Sequence, residues 1–345
     1  MNKPMLLLTA ALLGGCQTAS MGVGDDIPTV NAFAETDAVA SREDAADDPA
    51  IWINPLTPSE SVILGTDKKN GLYVYDLSGR ELQFIDVPEP NNVDLRQGVA
   101  VGDGVMDIAV TSNRGDNTVG VFMVDGGTVG AMGSFPAIRP EPYGICLGTP
   151  DGALMVAVTH KNGAVDLFSL DTLGQVAGTH LQTLNLGAQL EGCVFDEVNE
   201  RLFVGIEEQG IVAYTFADLT MANATPVFVD RVNEASGLAI DVEGLTIYPS
   251  DDQGGGYLIA SSQGNNSYAL YDRQTLAFIS RFAIVDGETI DGTQETDGID
   301  VTAANLGPDL PLGILVVQDG ENPPVGRQNF KIVDWQDIAK AVGLP

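Results

Sequence analysis

The sequence predicts an all-β fold, a six-bladed β-propeller, on three observations. Six β-rich hairpins recur along the chain, six short strands led by polar residues keep step with them, and no segment carries a convincing helical period. The hairpins begin at Ser61, Met106, Ala153, Arg201, Gly256 and Pro311, at intervals of 45, 47, 48, 55 and 55 residues. Each reads strand, Gly- or Asn-containing turn, strand, as in SVILGTDKKNGLYVYDLSG and GYLIASSQGNNSYALYDRQ. The short strands read DDPAIW, NNVDLR, EPYGICL, LEGCVF, VEGLTI and TDGIDV. With Asp48, Asp94, Tyr143, Glu191, Glu243 and Asp297 as their markers, the steps are 46, 49, 48, 52 and 54. Four strands per unit at this period describe propeller blades, whereas a β-helix repeats over much shorter distances. Residues 30–345 therefore read as one propeller domain.

Composition narrows the function. Among 345 residues, 48 Asp and Glu face 16 Lys and Arg, for a formal charge of -32. So little positive charge excludes a nucleic-acid binder, which must displace counterions from phosphates. Only His160 and His180 are available, too few for histidine-built zinc or iron sites. The acidity is spread along the chain and is rich in hard oxygen donors, which suit Ca²⁺.

Residues 1–16 read as a lipoprotein signal. Lys3 precedes an apolar run from Met5 to Leu13, too short to span a bilayer as a helix, and Leu13-Gly14-Gly15-Cys16 resembles a lipobox. Cys16 is then the lipidated residue, residues 17–29 a short linker, and Gln17 points to the outer membrane of a Gram-negative cell, facing periplasm or surface. The lipid is the expected membrane attachment, and the protein is expected to be monomeric. Export permits a disulfide between Cys146 and Cys193, and two buried thiols remain the alternative.

Propeller topology places the chemistry. The start of each innermost strand and the turn between second and third strands lie at the same mouth of the central channel. The six markers should ring that mouth. Around them should stand Lys68-Lys69, Arg114 and Lys161 from blades one to three, and Glu207-Glu208, Gln263 and Asp319 to Glu321 from blades four to six. Such a mouth has an anion-holding half and a metal-holding half. Bound Ca²⁺ would reverse the local sign for a polyanion, and Lys and Arg would hold further phosphoryl groups. A metal-activated water needs no covalent nucleophile, and neither G-x-S-x-G nor a P-loop occurs. Asp76, Asp125, Asp166 and Asp272 close hairpins and read as solvated; His160 reads as a bystander and Trp335 as core.

The segments NAFAETDAVASREDAADDPAIW, NNVDLR, VEGLTIY, YLIASSQGNNSYA, DGTQETDGIDV and QDGENPP…QNFK together resemble the bacterial β-propeller phytases, from about Val30 to the C-terminus. The resemblance implies a calcium-dependent 3-phytase that binds phytate (myo-inositol hexakisphosphate) or its calcium complex. It implies Glu191, Glu207, Asp241, Glu243, Gln263, Asp291 and Asp297 as calcium-site residues, with Glu35, Asp47, Asp48 and Glu321 as structural or bridging ligands. Lys68 or Lys69, Arg114, Tyr143 and Lys161 match the phosphate-binding set, and Tyr143, Glu191, Glu243 and Asp297 the catalytic one. Asn162 and Gln209 stand where the family often carries carboxylates, which would weaken one metal site. Two other readings compete: another calcium propeller hydrolase such as a lactonase, or a non-catalytic calcium-stabilised binding protein. The cationic turns favour phosphate, since a neutral lactone has no use for them.

Overall fold

A computed structural model describes residues 27–345, apart from Ala222 and Glu234. The signal, Cys16 and most of the linker lie outside the described residues. Six antiparallel sheets form the six blades. Their innermost strands are Ala46–Trp52, Pro90–Val101, Ile145–Gly148, Leu190–Asp196, Val242–Pro249 and Ile299–Thr302. Each packs against the next, and blade six returns to blade one.

Two pieces of the N-terminus complete the ring. Ala34–Glu35 supplies the outermost strand of blade six, pairing antiparallel with Ile332 and Lys331. Thr29–Val30 adds a parallel fifth strand to blade five, so folded structure already includes Thr29, assigned above to the linker. The chain thus closes its ring by hydrogen bonds between distant segments, and the outer edges of these two sheets become strands only two residues long.

Side chains alternate between neighbouring blades, and the core is distributed over the blade junctions. One junction holds Phe135, Val156 and Phe168, all buried, between blades two and three. One helix, Trp335–Val342, was not expected. Asp334 caps it by accepting from Gln336 N (3.0 Å), and Gly343 ends it at φ 76°. Its buried face is Trp335, Ile338 and Ala339, and Trp335 stacks on Tyr248 with ring centres 3.8 Å apart. Among the described residues, no helix is long and apolar enough to cross a membrane.

A repeated hydroxyl contact fixes the register at the channel mouth. Near the end of the second strand, Thr66 donates to Asn91 O (2.7 Å), Thr159 to Glu191 O (2.7 Å), and Ser112 to Tyr143 O. Asn91, Tyr143 and Glu191 therefore occupy equivalent positions. Four innermost strands also carry a bulge at this point, between Ala46/Pro49, Pro90/Val93, Leu190/Cys193 and Val242/Leu245. By that register the leading residues of blades one and two are Asp47 and Asn91, not Asp48 and Asp94 as the spacing suggested. Strand side chains alternate, so the offset moves Asp48 and Asp94 away from the mouth. Asp48 Oδ2 accepts from Val93 N (3.1 Å), and Asp94 Oδ2 from Leu147 N (2.7 Å). Both face a second chamber of about 310 Å³ along the channel, with Arg96 and Asp300.

The glycine after each later leading residue has a steric reason. A Cβ on Gly144 or Gly192 would lie 2.0 Å from the carbonyl oxygen of Glu191 or Glu243 in the next blade. Only bare backbone lets the inner strands approach this closely.

Candidate metal and phosphate site

The mouth opens into a cavity of about 790 Å³. Lys68, Tyr143, Glu207, Asp241, Glu243, Gln263, Asp297 and Glu321 line it, all from the expected set. Glu43, Asp44, Glu295 and Arg327 also line it and were not anticipated. The first two precede blade one, where no repeat marks them; Arg327 lies in the loop before the third strand of blade six.

Three carboxylates from blades four and five cluster beside it: Glu207 and Glu243 line the cavity, whereas Glu191, Arg114 and Lys161 do not. Glu191, Glu207 and Glu243 each offer an oxygen, and these oxygens lie within 4.8 Å of one another. Each side chain is buried, and Glu207 Oε1 and Glu243 Oε2 have no hydrogen-bond partner among the described residues. Burial, then the charges of neighbouring carboxylates, pushes Glu243 and Asp297 well above the ordinary range. Burial and the charge of Asp47 raise Glu191 to about 7. Asn91 Nδ2, the missed leading residue of blade two, donates to Glu191 Oε1 (2.8 Å) and fixes its orientation. Lys68 and Lys161 act on Glu191 and Glu207 without pairing directly with them, and buried carboxylate oxygens with neither a hydrogen-bond donor nor a paired cation are costly unless a cation arrives. The donor set fits a hard, oxygen-liganded ion such as Ca²⁺. Asp241, held at φ 59°, and Gln263 flank this centre; Gln263 Nε2 donates to Asp297 Oδ1 (2.6 Å).

The cationic half is unevenly used. Lys68 Nζ meets Asp44 (2.6 Å), Asp47 (2.9 Å) and Asp297 (3.0 Å). Burial opposes its charge, but Asp47 and Asp297 outweigh that and raise its pKa. Lys69 turns outward and donates to Arg42 O (2.7 Å), so Lys68 is the lysine of the mouth. Arg114 Nη2 donates to Lys68 O (3.2 Å), while its buried Nε has no partner among the described residues. Lys161 Nζ sits 4.2 Å above the Tyr143 ring centre, and burial with the nearby Glu191 charge keeps the Tyr143 hydroxyl protonated.

Glu35 and Asp291 meet elsewhere, around a lysine that the sequence did not single out. Lys331 Nζ, fully buried, contacts Glu35 Oε2 (2.6 Å), Asp291 Oδ1 and Asp319 Oδ2 (3.1 Å). A second reading changes at Asp166, expected in solvent. It is fully buried, accepts from Arg139 Nε (2.9 Å) and Thr183 Oγ1 (2.6 Å), and lies 3.1 Å from His160 Nε2. These partners come from a loop and neighbouring strands, beyond the reach of a hairpin rule. Cys146 and Cys193, on adjacent innermost strands with Cα atoms 5.8 Å apart, are joined as a disulfide.

Comparison with known proteins agrees with this geometry. The family model described as Phytase matches residues 3–344. The chain belongs to the phytase family. It is 41% identical to the 3-phytase of Bacillus subtilis (strain 168), over 99% of this chain and 94% of that relative. Solved structures also align, including a nidogen/laminin complex at 16% identity and TM-score 0.47, covering 68% of this chain and 79% of that one. Another is the BBS1N–ARL6DN complex, at 12% identity and TM-score 0.48, covering 83% and 78%. These two likenesses are too distant to inform function.

Proposed function

We propose that this phytase-family phosphomonoester hydrolase releases phosphate from phytate and depends on Ca²⁺ to do so. The observation that carries the metal is the buried Glu191, Glu207 and Glu243 triad with its unpartnered oxygens. Glu191, Glu207, Glu243 and Asp297 would hold calcium, with Asp241, Gln263 and Glu321 as further oxygen donors at the rim. Calcium bound there supplies positive charge for the phosphoryl oxygens and makes a nearby water more acidic.

The protein's own groups do the rest. The Tyr143 hydroxyl, held protonated, donates to a phosphoryl oxygen, and Arg114 and Lys161 steady the same group. Glu243, which lines the cavity and has an unpartnered buried Oε2, takes the proton as water attacks phosphorus. The P–O ester bond breaks, and the leaving alcohol takes a proton from solvent at the open mouth. No covalent intermediate is required. Lys68, committed to three carboxylates, positions Asp47 and Asp297.

The N-terminal reading stands beside this as a proposal: Cys16 carries lipid and holds a monomeric enzyme on the outer membrane. The Cys146–Cys193 disulfide supports an oxidising compartment. Phosphate release from phytate by residues 17–345 in calcium buffer tests the activity, with Tyr143→Phe alongside. Robust release that falls at least tenfold in the variant is expected. Equal rates in the two proteins would remove Tyr143 from the mechanism.

A further inference from the structure

Resting on that phosphatase reading, we infer that Asp166 is a positioning residue for the reaction: it ties together the two segments that carry Tyr143 and Lys161, and so sets how both meet a phosphoryl group. Asp166 lies on the third strand of blade three, Ala164–Asp171, and is fully buried. Neither it nor its partners Arg139 and His160 line the mouth cavity. Any effect they have on the reaction therefore passes through other groups.

Two arms leave this carboxylate. On the first, Arg139 Nε donates to Asp166 Oδ2 (2.9 Å). Arg139 stands four residues before Tyr143, with Pro140 and Pro142 between them. Each proline ring fixes its own φ, and Glu141 N donates to Asn117 Oδ1 (2.8 Å), so this connection is stiff. On the second arm, His160 Nε2 lies 3.1 Å from the same Oδ2. His160 is buried and directly precedes Lys161, whose Nζ sits 4.2 Å above the Tyr143 ring centre. Gly163 N donates to His160 O (2.9 Å) and closes the turn that carries Lys161. The arms are also joined to each other: Tyr143 N donates to Thr159 O (3.1 Å), and Thr159 N to Gly144 O (2.9 Å).

The carboxylate is charged and oriented for this role. Burial opposes its charge, but His160, Thr183 and Arg139 outweigh that and hold its pKa below the ordinary value. Thr183 Oγ1 donates to Oδ1 (2.6 Å), which leaves Oδ2 to the two arms. Both of the chain's histidines gather here, since His180 Nε2 lies 3.1 Å from Thr183 Oγ1. A hydroxyl and an ammonium that act on one phosphoryl group need a fixed spacing, and small displacements of either cost rate.

The test measures kcat and KM for phytate in calcium buffer, in wild type, Asp166→Asn, Lys161→Ala and the double variant. Asp166→Asn should lower kcat/KM about tenfold. In the Lys161→Ala background the same change should cost no more than about threefold, because one arm no longer ends on a phosphate-binding group. A loss of equal size in both backgrounds would overturn the inference, as would wild-type kcat/KM in Asp166→Asn. His160→Gln keeps the Asp166–Arg139 pair and carries the test if Asp166→Asn does not fold. Its loss of about threefold should vanish in the Lys161→Ala background, and a loss that persists there would overturn the inference too. Wild type that releases no phosphate would instead remove the phosphatase reading, and this inference with it.

Discussion

Two carboxylate clusters of this propeller differ in whether the chain supplies the cation that pairs with them. Around Lys331, the acids Glu35, Asp291 and Asp319 surround an ammonium that the chain itself supplies. Among the described residues, Glu191, Glu207 and Glu243 make no ion pair, and Lys68 and Lys161 act on Glu191 and Glu207 only from a distance. The first cluster is electrostatically closed and serves structure: Glu35 lies on the strand that closes the ring, and Lys331 on the strand it joins. The second is left open, and an open buried acid cluster is stable only with protons or an external cation. A carboxylate count cannot separate a fastener from a metal site; the presence of an internal counter-ion can.

Breaking the closed cluster should have the largest effect. Lys331→Met leaves three acids without their partner and should cost about 3–5 kcal/mol, read as a large fall in melting temperature. Added calcium should recover part of that loss by turning a closed cluster into an open one. A variant as stable as wild type in chelator would refute the fastening role.

Glu243→Gln opens the comparison from the other side. Turnover should fall a hundredfold or more, while the calcium-free protein becomes more stable, because one of several mutually repelling buried acids has been neutralised. Rates on phytate and melting curves in chelator measure both. A variant that is inactive and also less stable in chelator would show that Glu243 is a packing residue.

A smaller effect is expected from pH. Burial and the charge of Asp94 raise Asp300 to about 7, from an ordinary value near 3.8. Its native form therefore keeps a proton that the unfolded chain releases from pH 4 upward. Stability from this group is greatest below pH 4 and declines as pH rises toward 7. Calcium-free protein should melt several degrees lower at pH 8 than at pH 5.5, and Asp300→Asn should flatten that slope. A melting temperature that rises over this interval would contradict the assignment.

The propeller was legible because its signal is periodic: six hairpins and six lead strands repeat whatever their exact contacts. The site was legible where a glycine follows the leading residue, as at Tyr143, Glu191, Glu243 and Asp297. Asp48 and Asn92 replace that glycine in blades one and two, and without it the register slipped from Asp47 and Asn91. The Lys331 cluster gathers residues from three distant segments, and no local pattern connects Glu35, Asp291 and Asp319 to it. The pair of N-terminal strands was hidden for a similar reason, since each is two residues long and is defined by its partner.

The central claim is that the open cluster works only with calcium. Phosphate release from phytate should be followed in chelator-treated protein as Ca²⁺ is titrated back, with binding measured calorimetrically on the same sample. Turnover should be absent in chelator and rise in step with occupancy, and Glu243→Gln should lose both together. Full turnover in chelator, or calcium binding that leaves the rate unchanged, would contradict the account.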